Sequence, residues 1–277
     1  MLWSVGMGHT EENQVAKFSG RLLNAPIIYA LCQVKFPTVG PIDEARAEAM
    51  HTALRSDYPY RFPQDTTEFS VAVGPSLPSP TVRRSWILQD RRKASGFILD
   101  STSLVYRTTV YADFAHFVAQ TMRGVRGMLE SLKPAVFERV GLRFVDLIEE
   151  QGAEDLHKFI ESPLYGFTPQ VEGFVPQATQ QFVRGQTPEG TLLLRYSRAK
   201  HGAALPPDLF DASLTGIRTP NSDRESVIID IDHFRDNADL DPDPTQVQQI
   251  IEKLQGPMSA LFKNAVTPFA IKQWNTP

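Results

Sequence analysis

The chain has little of what most recognisable enzyme and secretory classes need. A single cysteine, Cys32, stands among its 277 residues, which excludes a disulfide framework and a C-x-x-C metal site. It sits in an apolar run, where a lone thiol reads as a small core residue, and the expected compartment is reducing and cytoplasmic. No stretch approaches the 18 or so uninterrupted apolar residues of a membrane helix, and no basic n-region precedes the short apolar start. The chain also lacks a basic excess. With 28 Lys and Arg against 32 Asp and Glu the net charge is −4, which argues against a protein devoted to neutralising phosphates. No G-x-S-x-G, no phosphate-loop G-x-x-x-x-G-K-[ST] and no H-E-x-x-H occurs. GMGHTE near the N-terminus lacks both a preceding strand and a third glycine.

What is present is a globular composition, 42% hydrophobic and 22% charged, with 21 prolines that point to long loops. Residues 1–21 read as a disordered leader, with Met7 as an alternative start. PIIYALCQVKF at 26–36 alternates as a strand buried on both faces at one end. Ile42, Ala45, Ala49, Met50, Ala53 and Leu54 then recur at helical spacing, predicting a helix over 41–56. Strand-like runs follow near 67–73, 82–89, 95–100 and 103–111 and read as an antiparallel meander. Phe114 to Leu132 carries a second amphipathic helix, in which Gly124 and Gly127 cost about 1 kcal/mol each relative to Ala unless a neighbour packs close.

From 138 the order begins again. ERVGLRFVDLI is strand-like, DLHKFIES is a short helix, and strands follow near 177–184, 190–198 and 226–234. A last helix starts at Pro244 with Asp243 as its N-cap. The expected fold is α+β, a mainly antiparallel sheet with packed helices in a single compact unit. Its halves, 22–135 and 136–277, are either pseudo-repeats of a strand, helix, strands, helix order or unrelated parts of one sheet. The segment 199–225 separates two strands with little periodicity, and loops of that length are functional or disordered.

Three groups of residues are candidate sites. In SVIIDIDHF, Asp230 and Asp232 share one face of a strand while Ile229, Ile231 and His233 take the other. No third ligand of metal-site spacing accompanies them, so the expectation is the wet side of a strand or a salt-bridged pair, with no metal and no cofactor. Arginines recur within the strands at Arg107, Arg143, Arg184 and Arg195. Paired with Asp146, Asp230 or Asp232 on a concave face, they would line a pocket for a phosphate or carboxylate ligand. Finally, Arg83, Arg84, Arg91 and Arg92 surround Trp86, a combination that stacks on and neutralises single-stranded nucleic acid. Nucleic acid is the less favoured partner because the chain is acidic and part of this basic cluster falls in a turn. The acidic run DNADLDPDPT is not a calcium loop, since Pro244 occupies the glycine position and Ile250 the glutamate position.

LNAPIIYALCQVKF, SWILQD, VYADFAHFV, RVGLRFVDLI and VIIDIDHF resemble, in order, the successive blocks of a sporadically distributed family of uncharacterised bacterial proteins. Members commonly carry an acidic residue in the opening strand where this chain has Tyr29 or Ala30. The family has no settled activity to carry over. Its patchy distribution implies an antitoxin, immunity protein or phage-defence component, hence a non-catalytic binding protein for a protein partner. The alternative reading is a phosphate- or nucleotide-acting enzyme built from the strand arginines and aspartates.

Overall fold

The computed structural model describes residues 22–69, 80–150, 152, 154–166, 171–209 and 213–276. The expected leader, the GMGHTE segment and residues 70–73 of the first meander run lie outside them. Nine strands are described: β1 (Ile27–Lys35), β2 (Tyr60–Phe69), β3 (Pro80–Gln89), β4 (Ser95–Leu99), β5 (Ser103–Thr108), β6 (Phe137–Glu149), β7 (Ala178–Thr187), β8 (Gly190–Ala199) and β9 (Ser226–Leu240). Four α-helices accompany them: α1 (Glu44–Leu54), α2 (Phe114–Leu132), α3 (Pro244–Ala265) and α4 (Pro268–Trp274). The fold is α+β with an antiparallel sheet, and among the described residues no helix is long and apolar enough to cross a membrane.

The strands form one sheet in the order β2-β3-β4-β5-β1-β6-β9-β8-β7. On each side of the central β1–β6 pair the path is the same. The chain leaves the opening strand for the outer edge of the sheet, the meander runs inward until its last strand pairs with the opening strand, and a helix follows. The first half carries α1 and one strand more, whereas the second has short 3-10 turns at Leu156–Lys158 and Ser162–Tyr165 in the corresponding connection. DLHKFIES, expected as a short helix, supplies only the first of these turns. β2 starts earlier than expected, directly after Pro59, because Pro63 tolerates the outermost position of a sheet. The brief helix α4, capped by Thr267 and opened by Pro268, was not expected at all.

Helix starts follow local capping chemistry. Asp43, Asp113 and Asp243 each accept a backbone N–H of the first turn of α1, α2 and α3, at 2.7 to 2.9 Å. α2 ends at Lys133 in the left-handed region, immediately before Pro134. Gly124 is needed because a Cβ there would sit 2.1 Å from the Phe97 ring, and Gly127 faces Met50 and Ala53 of α1. The close packing that those two glycines imply is therefore real.

Period-two alternation sorts the two faces of the sheet. One face carries Ala30, Cys32, Leu142, Phe144, Ile229 and Ile231 into a core shared by α1, α2 and α3. Cys32 is buried in it, and burial raises its thiol pKa well above the ordinary value. The other face carries Tyr29, Val145, Leu147 and Ile228, and the segment between β8 and β9 lies over them with Ala203, Leu205, Leu209 and Leu214. This strap is pinned along its length. Ala203 N–H donates to Ser226 Oγ at 2.7 Å, Thr215 N–H to the Lys93 carbonyl at 2.8 Å, and Arg218 to the Leu147 carbonyl at 2.7 Å. A long loop read as functional or disordered is thus a covering layer that runs from the β8–β9 side across to the β3–β4 turn.

Candidate functional site

The strap converts a polar sheet face into a walled cleft. Asp230 lies directly opposite Arg195 on β8, and Arg143 on β6 is opposite Asp232, one pleat along on the same face. Arg143 therefore reaches Asp230 diagonally and grips it with two hydrogen bonds, Nε and Nη2 each 2.8 Å from a carboxylate oxygen. Arg195 adds a third contact at 3.3 Å. From the strap, Asp208 closes on the far edge of the same guanidinium, with Nη1 hydrogen-bonded to one oxygen and Nη2 3.3 Å from the other. The cleft over this network has a volume of about 740 Å³, with Gln180, Phe182, Ser197 and Leu205 among its walls.

Burial decides the character of the network. Asp230 is 0% exposed, so the expectation that it lies on the wet side of a strand is corrected. It is a sealed carboxylate neutralised by arginine, the salt-bridged arrangement rather than the solvated one. The two-residue alternation identified its face, but not the layer that covers that face. Burial would lower the Arg143 pKa, yet the hydrogen bonds to Asp230 and Asp208 outweigh it and hold the guanidinium charged. Burial would likewise raise Asp208, and the Arg143 hydrogen bond turns that into a net lowering. Asp232 is raised chiefly by burial, with Arg139, Arg195 and Arg143 opposing.

The remaining strand arginines do not join them. Arg107 lies in the same cross-sheet rank as Arg143 with Leu31 of β1 between, hence roughly 10 Å away at two strand spacings. It reaches Ser213 of the strap instead. Arg184 projects from the exposed outer strand β7. Asp146 is corrected outright as an arginine partner in the cleft: it sits on the opposite face of β6, lining an apolar cavity on the helix side. An odd spacing separates residues 143 and 146, which on a strand means opposite faces.

The basic cluster around Trp86 also resolves differently. Trp86 is buried, its indole N–H donates to the Ile42 carbonyl at 2.9 Å, and Arg61 stacks on its ring. No ring face is left for a base, so the stacking reading of Trp86 is corrected. Arg84 pairs with Asp65 through two hydrogen bonds of 2.7 and 2.8 Å. Arg91 and Arg92 lie exposed in the turn that anchors the strap, where the Arg92 carbonyl accepts from the Thr215 hydroxyl at 2.7 Å. Arg83 is exposed on β3. His233 points to the helix side, as its place beside the isoleucines requires, and its Nδ1 meets the Leu254 carbonyl at 2.7 Å. Burial lowers its pKa.

Chemically, the cleft sets two guanidiniums, Arg143 and Arg195, against two carboxylates, Asp208 and Asp230, so its charges balance. Every nitrogen of Arg143 is already engaged by a carboxylate. A phosphate entering here would meet a spent fork and no net positive charge. One group of three acidic residues with metal-ligand proximity occurs among the described residues, Glu150, Asp155 and Glu225, with ligand atoms within 4.8 Å. Glu225 is also bound to Arg198 at 2.6 Å, which lowers its call for a cation. Asp208, the residue that completes the network, was not anticipated. Its only signal in the chain is membership of a long segment between strands.

Compared with models of known protein families, the chain matches none. No curated protein matches it either.

Proposed function

We propose that the protein is a non-catalytic binding protein whose partner is another protein, taken up as an added strand along β7. The observation that carries this reading is the contrast between the two ends of the sheet. Among the described residues β7 is an outermost strand with no partner on its outer edge, and Phe182 (62% exposed) and Val183 project from its two faces. Val171, Phe174 and Val175 lie exposed in the segment leading into it. Unpaired strand edges bind other strands, and proteins that do not use them guard them with proline or charge. β2, the opposite edge, carries such a guard in Pro63 and Asp65. In ATQQFVRGQT of β7 the guard is a single arginine, Arg184.

The partner segment is an extended strand that sets an acidic side chain toward Arg184 and the half-exposed Arg195. Among the described residues Arg184 has no carboxylate partner, and Arg195 is only partly engaged. Main-chain hydrogen bonds would supply affinity, and the cleft beside Phe182 would take alternate side chains of the incoming strand. The resemblance to a sporadically distributed bacterial family favours an antitoxin, immunity or phage-defence setting for such a partner.

A photo-crosslinking residue in place of Val183, in the full chain in native lysate, tests the reading. The expected product is one specific adduct, whose purified protein binds wild type and loses at least tenfold affinity for Phe182→Lys/Val183→Asp but not for Phe62→Lys on β2. No adduct, equal affinity for both variants, or an adduct only with a second copy of this chain would overturn it.

A further inference from the structure

On the helix side of the sheet, an open-mouthed cavity of about 560 Å³ is bordered by β1, β6 and β9 below and by α2, α3 and α4 above. Its walls are apolar, including Ile27, Phe144, Ile231, Met258, Phe262 and Ile271. Within them lies one buried carboxyl, Asp146, 3% exposed. Among the described residues nothing donates a hydrogen bond to it, in contrast to Asp230 on the other face. The arginine network does not use this acid, and the strap reaches it only through the charge of Arg218. A leucine of similar size would extend the apolar wall.

We propose that this cavity binds a small amphiphile with an apolar body and a single amine, the ammonium seated against Asp146. The volume falls within the roughly 300–1,000 Å³ of small-molecule sites, and one polar group set in an apolar lining is how such sites fix orientation. Charge selects the amine. The remaining ionisable groups on the lining are Asp113, which caps α2, Lys263 and the phenol of Tyr111. The lining thus holds two carboxyls against one ammonium, and on the far side of the sheet Asp230 adds negative potential that Arg218 partly offsets. An incoming carboxylate gains no ion pair at Asp146 and has the field of Asp230 against it, an alcohol gains only a neutral hydrogen bond, and an ammonium gains a charged one in low dielectric. Left alone, the carboxyl is pushed up to about 8, mainly by burial and then by Asp230. It is therefore mostly protonated at neutral pH, and it gives up its proton when the ammonium arrives.

Isothermal titration of the full chain with n-octylamine, n-octanol and n-octanoate at pH 7, each in two buffers of different ionisation enthalpy, tests the proposal. Octylamine is expected to bind severalfold more tightly than octanol, the charged hydrogen bond outweighing both a neutral one and the proton that Asp146 must release, with release of most of a proton, and octanoate to bind more weakly than octylamine. Asp146→Asn should bring octylamine down to the level of octanol and abolish the proton release. Ala115→Trp, an exposed position on the lining, should weaken both ligands by filling the entrance while the protein stays folded. Equal binding of amine and alcohol to wild type, no binding of octylamine, or an amine preference that survives in Asp146→Asn would overturn it. If the Asn variant does not fold, octylamine affinity unchanged by Ala115→Trp has the same force.

Discussion

Asp230 and Asp146 are both buried aspartates on neighbouring strands, Asp230 opposite Val145 and Asp146 opposite Ile229. They face opposite sides of one sheet and have opposite surroundings. Asp230 is gripped by Arg143 and touched by Arg195, an ion pair formed in place. Asp146 has apolar walls, and burial makes it a weak acid. Burying a charge costs several kcal/mol unless it is paired and hydrogen-bonded. One strand register resolves that cost with a salt bridge, the other by giving up the charge. The first solution fixes structure, whereas the second leaves a group that a ligand can re-ionise.

The sharpest way to break the comparison is to give Asp230 the isolation of Asp146. Arg143→Ala leaves a fully buried carboxylate with a single long contact to Arg195, and it should cost about 3–5 kcal/mol. Urea denaturation at pH 7 measures this. A loss below about 1 kcal/mol would mean that the network is a surface pair in disguise.

The reverse change, Asp146→Asn, should stabilise, and by an amount that depends on pH. The folded-state pKa of about 8 lies above the unfolded value near 3.9. Between those values the folded chain binds more protons than the unfolded one, so wild-type stability falls as pH rises through the window. The Asn variant lacks this titration. Its advantage should be smallest near pH 4 and grow toward pH 8, by at most about 2.7 kcal/mol between pH 5 and pH 7, two units at 1.36 kcal/mol each. Parallel denaturation curves at pH 5 and 7 check the sign, and a constant difference would place an unseen partner on Asp146.

A smaller effect sharpens the role of the strap. Asp208 is the exposed end of the network, so Asp208→Ala should cost no more than about 1 kcal/mol globally. Its consequence is local. Hydrogen exchange should accelerate through residues 203–209 while β6 and β9 stay protected.

Much of this was legible in the chain and some was not, for physical reasons. The alternation in SVIIDIDHF placed Asp230 and Asp232 on one face and His233 on the other, because the two-residue period is a property of the strand itself. What covers a face is not: Ala203, Leu205, Leu209 and Leu214 arrive from a segment with no period, and they turn a polar face into an interior one. Convergence of Arg143, Arg195 and Asp230 needed the register of β6, β9 and β8, which only the assembled sheet supplies. Two features were readable and missed. The odd spacing of Arg143 and Asp146 forbids a shared face, and Trp86, two residues before Leu88, belongs to the core side of β3. The isolation of Asp146 had no signal, since it depends on α2, α3 and α4 closing over β6.

The smallest expected effect on stability carries the most for function. Phe182→Lys/Val183→Asp alters side chains that pack against little, so unfolding should shift by no more than about 0.5 kcal/mol. The same charges on an open edge repel an incoming strand and are the guard that β2 already has in Asp65. The two edges of the sheet should then behave alike: partner binding lost, fold intact, and backbone amides of β7 no longer protected from exchange by the partner. Protection on β7 that persists in the variant would show that the partner docks elsewhere, and the difference between the two edges would then be one of sequence without consequence.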